Sequence, residues 1–440
     1  MNTSQAPIII VGGGVAGLAI ATAMGKLSAN SGSKLPPVLL IDREFAHVWK
    51  PMLHTIAAGT RDIYQQQTAY IAQAHACNFS YEPGELLGVD RESRQVKIAA
   101  LLAPDGRVLV PERRVPYTKL IIAVGSQAND FGTPGAAEHC YTIDSRLQAD
   151  AFNQEIRMQL LECLGHEGSD EKNAPLSIAI VGGGATGVEL AAELVGLADA
   201  AEAYGAKGLK RRISITLIES GPRLLAAFPE DISASAQVRL EALGVQVKVA
   251  TRVAAVNAQG FVLGDNTEVH ASLKVWAAGV KAPAILSDLD GLETNRSNQL
   301  IVRPSLQTTH DADIYAVGDC ASLMPEGAER PFPPTAQIAH QQAQHLIRHL
   351  PAALLHDIPP PDFKYRDLGA LVSLGEYDAY GSLGKTGLFK GVTFRGRLDQ
   401  LSHALLYRSH QAQLHGFWRG SQMWLVDLMN ARLRPTIRLD

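Results

Sequence analysis

Ile8-Ile9-Ile10-Val11-Gly12-Gly13-Gly14-Val15-Ala16-Gly17, followed by Leu18 to Leu27, sets the reading of the whole chain. Four β-branched residues form the uncharged run that a parallel strand buried on both faces requires. G-x-G-x-x-G follows, and then an Ala- and Leu-rich run that reads as a helix. In that pattern Gly12 makes the tight turn, Gly14 lets a pyrophosphate approach the backbone, and Gly17 lets helix and strand pack. The anion settles on free N–H groups at the helix N-terminus. Val38 to Ile41 reads as the next strand and ends in Asp42, placed to accept hydrogen bonds from an adenosine ribose. The 25 residues from Gly17 to Asp42 are slightly long for this unit. The polar, Gly- and Pro-containing stretch Asn30 to Pro37 reads as a loop that absorbs the excess.

The pattern returns 170 residues later. Leu176 to Val181 reads as a strand, Gly182-Gly183-Gly184-Ala185-Thr186-Gly187 as a second glycine turn and Val188 to Leu197 as a helix. Ile213 to Ile218 is the next strand and ends in Glu219. One such motif is weak evidence. Two, each with a strand before, a helix after and an acid closing the following strand, describe a duplicated dinucleotide-binding unit, with Gly182, Gly184, Thr186 and Gly187 in the second cradle. Two further hydrophobic strands end in small residues, Leu120 to Gly125 and Val275 to Gly279. They bring backbone at Ala123, Gly125, Ala278 and Gly279 close to a dinucleotide. Cys163 to Pro175 reads as a surface linker, and Pro351 to Pro361 as the boundary before a C-terminal unit.

Composition bounds the alternatives. The chain has 440 residues, 46% apolar and 19% charged, an ordinary folded composition with room for several cores. A formal net charge of −4 speaks against a nucleic-acid binder. Four cysteines, Cys77, Cys140, Cys163 and Cys320, form no C-x-x-C pair, which argues against a zinc ribbon or a thioredoxin-type centre. The 14 histidines contain no H-E-x-x-H motif, and no metal is expected. The uncharged stretch Pro7 to Gly25 lacks a preceding basic residue and is broken by three glycines, so it reads as neither signal peptide nor membrane helix.

Thr309-His310-Asp311-Ala312-Asp313-Ile314-Tyr315-Ala316-Val317-Gly318-Asp319 resembles the second fingerprint of the two-dinucleotide flavoproteins. That resemblance implies that Asp319 reaches the ribityl chain of a non-covalent FAD. It also implies that the first glycine motif and this one build one FAD domain, interrupted by an NADH domain. Phe45 to Thr60, Thr335-Ala336-Gln337-Ile338-Ala339-His340-Gln341 and the segment Leu406 to Gly416 resemble type II NADH dehydrogenases, the single-subunit, non-pumping NADH:quinone oxidoreductases. The implied fold is α/β, with two Rossmann-like domains and a C-terminal α-helical membrane-associating region. The implied division is 1–145 and 296–365 for FAD, 146–295 for NADH and 366–440 for the membrane region.

The resemblance also assigns roles. Glu189, read as lying in the first turn of its helix, orients NADH near the isoalloxazine and takes part in proton relay to a quinone. A carboxylate merely stabilised by the helix dipole is the plainer alternative. Gln337 and Gln341, four apart on one helical face, donate to a quinone carbonyl, with Ala336 beside the flavin. Helix packing is the alternative use of that pair. Arg43, next to Asp42, is counted with the cofactor-binding residues. Lys50 neutralises flavin or phosphate charge, or is a surface lysine. Glu219 selects NADH over NADPH by repelling a 2′-phosphate, softened by Arg223. Cys320 reads as a small buried residue, and Glu193 as structural.

From Lys385 to Asp440 there are nine Lys/Arg and three Asp/Glu, in a chain that is acidic overall. These are interleaved with Leu398, Leu401, Leu405, Phe417, Trp418, Met423, Trp424, Val426, Leu428 and Met429, as in a helix lying on an anionic lipid surface. A core-packed pair or a homodimer contact is the alternative. The expected location is peripheral, on the cytoplasmic side of the cell inner membrane, where a quinone is reached. The rival readings are a sulfide:quinone oxidoreductase, which needs redox cysteines, and an NADH-sensing interaction module.

Overall fold

The computed structural model describes residues 5–30, 34–61, 67–165, 176–203, 206–375, 377–382, 393–395, 408, 411–412 and 414–433. The chain divides into two compact units. Residues 1–49, 66–127 and 280–365 form the first, and 50–65, 128–279 and 366–440 the second.

The first unit is built on a five-stranded parallel sheet. Ile8–Val11 lies in the middle, flanked by Val38–Asp42 and Lys119–Ile122, with Ser80–Pro83 and Ile314–Ala316 outermost. Every residue of Ile8–Val11 is buried, as its uninterrupted apolar run requires of a central parallel strand. The helix Val15–Asn30 follows the glycine turn at once, and a three-stranded antiparallel sheet, Leu86–Asp90, Gln95–Ile98 and Arg113–Pro116, completes the pattern.

The second unit repeats it. Val245–Lys248, Ile213–Ile218, Leu176–Val181 and Leu273–Trp276 make a four-stranded parallel sheet. Val253–Val256, Gly260–Leu263 and Glu268–His270 make the three-stranded antiparallel partner. Phe261, Ile218, Trp276 and Val256 lie in one buried cluster here. The duplication expected from the two glycine motifs is therefore present in both the parallel and the antiparallel layers.

Several boundaries differ from the sequence reading. The second unit takes in residues 128–145, because Tyr141 bridges to Val275 and Cys140 packs on the cluster that includes Trp276. The first unit takes in 280–295, where Asp290 pairs with Arg91 at 3.6 Å. Residues 50–65 belong to the second unit although their sequence lies inside the first glycine-motif region. Cys163 is no linker residue. It is buried in the helix Arg146–Gly165, whose inner face repeats as Phe152, Ile156, Leu160 and Cys163. Pro351 lies inside the helix Ala336–His356 and does not end it. That helix stops at Asp357, in a left-handed conformation with its N–H bonded to the Ala352 carbonyl.

The C-terminal region is not wholly helical. It begins with a three-stranded antiparallel sheet, Ala370–Ser373, Ala379–Ser382 and Thr393–Arg395, before the helix Phe417–Leu433. Leu398, Leu401 and Leu405 lie outside the described residues. On Phe417–Leu433 the side chains of Phe417, Trp418, Trp424, Leu425, Val426, Leu428 and Met429 are exposed, Trp418 by 81% and Trp424 by 53%. The other side of that helix is held by Asp427, 2.7 Å from Arg408, and by Gly420 against Ala412. No described helix is long and apolar enough to cross a membrane.

Candidate functional site

In the first unit the glycine turn is sterically closed on one side and open on the other. Gly12 has φ +101°, and a Cβ there would lie 2.3 Å from the Ala123 carbonyl oxygen. A Cβ on Gly17 would lie 1.8 Å from the Gly12 oxygen. Neither position tolerates a side chain, as the tight turn and the helix–strand packing require. At Gly14, by contrast, a Cβ would meet nothing within 4 Å, which leaves room for a pyrophosphate over the helix N-terminus. Asp42 accepts hydrogen bonds from the N–H groups of Gly13 (2.5 Å) and Glu44 (2.8 Å). Burial raises its carboxyl above the usual range, and those two N–H groups and Arg43 work in the other direction.

Asp319 stands just past Ile314–Ala316, in the turn Gly318–Cys320, and accepts from the Ser126 hydroxyl at 2.7 Å. The backbone around it is pinned twice. Gln299 donates to the Asp319 carbonyl at 2.8 Å, and the Gly318 N–H donates to the buried Gln342 at 2.7 Å. Asp42 and Asp319 thus lie at the carboxyl ends of strands of one parallel sheet, where doubly wound sheets bind ligands. This donor set, with the open face at Gly14, fits FAD. Arg43 makes a 3.5 Å exposed pair with Glu85, and Gly125 has φ +72°.

Sequence reasoning passed over three residues under the first turn. Tyr70 donates to the Gly13 carbonyl at 2.9 Å, the His47 Nδ1 approaches the same oxygen at 3.0 Å, and Gly13 itself leaves no room for a Cβ, which would meet the Tyr70 ring at 2.4 Å. The Gly12-Gly13-Gly14 triplet was the available signal for the last of these.

The second unit reproduces the cradle. Gly182 has φ +118° with a Cβ position 2.7 Å from Ala277, and Gly187 sits equally tight on Gly182. Gly184 is open, and Thr186 lies in the first turn of the helix Ala185–Ala203. Glu219 accepts from the N–H groups of Gly183 (2.6 Å) and Gly221 (2.5 Å), as Asp42 does in the first unit. Arg223 stands four residues on from Glu219. Its guanidinium donates to the carbonyls of Leu225, Ala226 and Phe228 in its own loop. Gly279 has φ +66° and faces the Phe131 ring next to Ala278, whose carbonyl accepts from the Trp276 indole.

Glu189 is the least ordinary titratable group of this unit. The helix begins at Ala185, so Glu189 opens its second turn and not its first, and the dipole reading loses its basis. The side chain is buried. One oxygen accepts from the Ser373 N–H at 3.1 Å, and the other lies 3.4 Å from the His54 Nδ1. Burial above all, and Glu193 in addition, push its pKa up to about 8 against the opposing Ser373 hydrogen bond. Glu193 one turn on accepts from the Thr60 hydroxyl, and Asp199 accepts from Tyr377 at 2.5 Å. Glu189, Glu193 and Asp199 thereby follow one side of the helix, and Ser373, Gly375 and Tyr377 of the C-terminal region lie against them. His54 and Ser373 carried no signal of this role in the sequence, since both come from segments far from Glu189.

Ala336, Gln337 and Gln341 lie at the start of the helix Ala336–His356, capped by Thr335, whose hydroxyl accepts from the Ile338 N–H at 3.3 Å. Gln337 accepts from the Tyr365 hydroxyl at 2.5 Å, and Phe332 packs on Tyr365 with ring centroids 5.4 Å apart. The two glutamines share a helix face as expected and are half-buried. Lys50 opens a short 3-10 turn 3.8 Å from Asp144. Cys320 is fully buried with its thiol pushed up to about 12. The sequence does carry one H-x-x-x-H pair, His345 and His349. Their rings lie 4.8 Å apart and the His345 Nε2 meets the Pro361 carbonyl at 2.8 Å. Among the described residues no group of three or more metal-ligating side chains occurs.

Residues 6–343 match the pyridine nucleotide-disulphide oxidoreductase family. A type II NADH:quinone oxidoreductase of Haemophilus influenzae is 39% identical over 98% of this chain and 99% of its own length. One from Staphylococcus epidermidis is 28% identical over 87% of this chain and 90% of its own. Among solved structures, NDH2 from Plasmodium falciparum in complex with NADH superposes with a TM-score of 0.81 at 20% identity, covering 99% of this chain and all of that one. The sulfide:quinone oxidoreductase of Aquifex aeolicus shares the fold with a TM-score of 0.70 at 16% identity, over 98% of this chain and 96% of that one. With two acid-closed glycine cradles and a relative this similar from end to end, the chain belongs to the type II NADH:quinone oxidoreductases of the pyridine nucleotide-disulphide oxidoreductase family.

Proposed function

We propose the following division of labour in this NADH:quinone oxidoreductase. Gly12, Gly14, Gly17, Asp42, Ala123, Gly125 and Asp319, with Arg43, Lys50 and Ala336 at the margins, would hold FAD, which would supply hydride acceptance and electron transfer. NADH lies on Gly182, Gly184, Thr186 and Gly187, with Ala278 and Gly279 at the strand end. Glu219 reads its ribose and disfavours a 2′-phosphate. Glu189 orients the nicotinamide and holds a proton near neutral pH, which its burial supports. Gln337 and Gln341 present neutral amides to a quinone.

The observation that carries the NADH reading is the second complete cradle, in which Glu219 is held by two backbone N–H groups and Arg223 is committed elsewhere. Sulfide oxidation lacks support from the cysteines. Cys77, Cys140, Cys163 and Cys320 are all free thiols, and burial raises the pKa of Cys140 and of Cys320 to about 12. The exposed apolar side of Phe417–Leu433 supports peripheral attachment to the cytoplasmic face of the inner membrane, with the basic surplus of the C-terminal region facing anionic lipid.

Stopped-flow kinetics test the glutamine assignment. Gln337→Ala and Gln341→Ala should slow reoxidation by a short-chain quinone far more than reduction by NADH. Equal slowing of both half-reactions would make the pair structural. Sulfide offered in parallel should give no turnover.

A further inference from the structure

His54 and Glu189 come from distant parts of the sequence and meet inside the second unit. His54 lies on the short helix Leu53–Ala58, and both side chains are buried. The His54 Nδ1 is 3.4 Å from one Glu189 oxygen, while the Ser373 N–H holds the other. The carboxyl is thus gripped from two sides by elements that do not belong to its own helix.

The overall reaction sets the proton count. NADH delivers two electrons and one proton as hydride, and a quinol takes up two electrons and two protons. Each turnover draws one further proton from solvent, and a buried acid beside the site is a place to hold it. We infer that His54 is a positioning residue that shares one proton with Glu189, so that the pair, and not Glu189 alone, is the proton-holding unit for quinone reduction. Two ionisable groups at this separation inside protein titrate as a pair when their coupling exceeds about one pH unit. This inference rests on the reading of Glu189 given above.

The surroundings are compatible with a single shared proton. On the helix Ala185–Ala203, Glu193 adds negative charge and disfavours ionisation of its neighbour. The helix Arg146–Gly165, which also packs on Leu53–Ala58, carries Arg146, Asp150, Glu155, Arg157 and Glu162. Of these, Arg146 pairs with Asp150 at 3.5 Å, and Glu155 accepts from Gln159 at 2.9 Å. Lys50 lies 3.8 Å from Asp144. The hairpin contributes the Ser373 backbone N–H.

The test compares His54→Asn, Glu189→Gln and the double variant as FAD-loaded full-length enzymes. Asn places a polar atom near the Nδ1 position and cannot bind a proton. Hexacyanoferrate(III), which takes electrons and no proton, separates electron delivery from proton delivery. His54→Asn should keep its FAD and its NADH–hexacyanoferrate rate, lose about tenfold in the quinone rate, and lose little more on a Glu189→Gln background. The carboxylic-acid C=O infrared band that Glu189→Gln abolishes should titrate at least about one pH unit away from its wild-type midpoint in His54→Asn. An unshifted band, a wild-type quinone rate, parallel loss with both acceptors, or additive effects in the double variant would each overturn the pair. If Glu189→Gln leaves the quinone rate intact, the reading of Glu189 falls first. Should His54→Asn lose FAD, His54→Gln replaces it. Loss of FAD from both makes His54 a structural residue and ends the proposal.

Discussion

Replacing Glu189 by Gln should make the protein more stable above neutral pH, even though it removes a residue assigned to the reaction. Burial raises the carboxyl from an ordinary 4.5 to about 8. Below pH 4.5 the folded and unfolded chains both hold the proton, and this group adds no pH dependence. Between 4.5 and 8 the unfolded chain releases it and the folded chain does not, so folding stability falls as pH rises. At about 1.4 kcal/mol per unit, the loss is complete above pH 8 and reaches a ceiling of about 5 kcal/mol. A protonated His54 at 3.4 Å would reduce it by favouring the carboxylate. Gln keeps an acceptor for the Ser373 N–H and has nothing to ionise. If the whole chain unfolds together, 440 residues carry an unfolding entropy of roughly 0.9 kcal/mol/K, and the ceiling corresponds to about 5 °C in Tm. The assay is thermal unfolding of wild type and Glu189→Gln at one scan rate from pH 5 to 9. The variant should gain on the wild type from pH 5 to about 8 and level off above it. A gap that is independent of pH, or a wild type that gains on the variant, would refute the argument from burial.

Asp319→Ala should weaken FAD retention by about ten- to a hundredfold, since a hydrogen bond to a charged group contributes roughly 1.5–3 kcal/mol; bound flavin after gel filtration measures it. Glu219→Gln should narrow the ratio of kcat/KM for NADH over NADPH, and an unchanged ratio would mean that this acid does not read the ribose. Trp418→Ser with Trp424→Ser should loosen binding to anionic liposomes by up to about 1.5–3 kcal/mol per side chain, in a manner that high salt does not reproduce; undiminished pelleting in sedimentation would remove those side chains from the contact.

The two glycine cradles were legible from residue order alone. Gly12, Gly17, Gly182 and Gly187 are demanded by local sterics, the approach of a carbonyl to between 1.8 and 2.7 Å of where a Cβ would stand, and such demands leave a short motif at fixed spacing. Asp42 and Glu219 were legible for the same reason, because each closes the strand next to its own turn. Burial runs such as Ile8–Val11 announced the parallel sheets.

The reach of units was not local and was not legible. Nothing near Phe45 to Thr60 says that residues 50–65 fold with the second unit, since that follows from packing of Leu53–Ala58 on the distant helices Arg146–Gly165 and Ala185–Ala203. Pro351, read with Pro361 as part of a boundary stretch, lies inside the helix Ala336–His356, because its neighbours Leu346, Leu350 and Ala353 are buried and hold the helix through the lost hydrogen bond. The surroundings of Glu189 belong to the same class. Its position after Gly187 could be read from the chain, but its raised pKa depends on solvent exclusion, with Glu193 on the same helix adding to it and the Ser373 N–H, from a distant strand, opposing it. A motif records what the backbone needs within a few residues; the charge state of a buried acid depends on everything that packs around it, and only the tertiary structure assembles that environment.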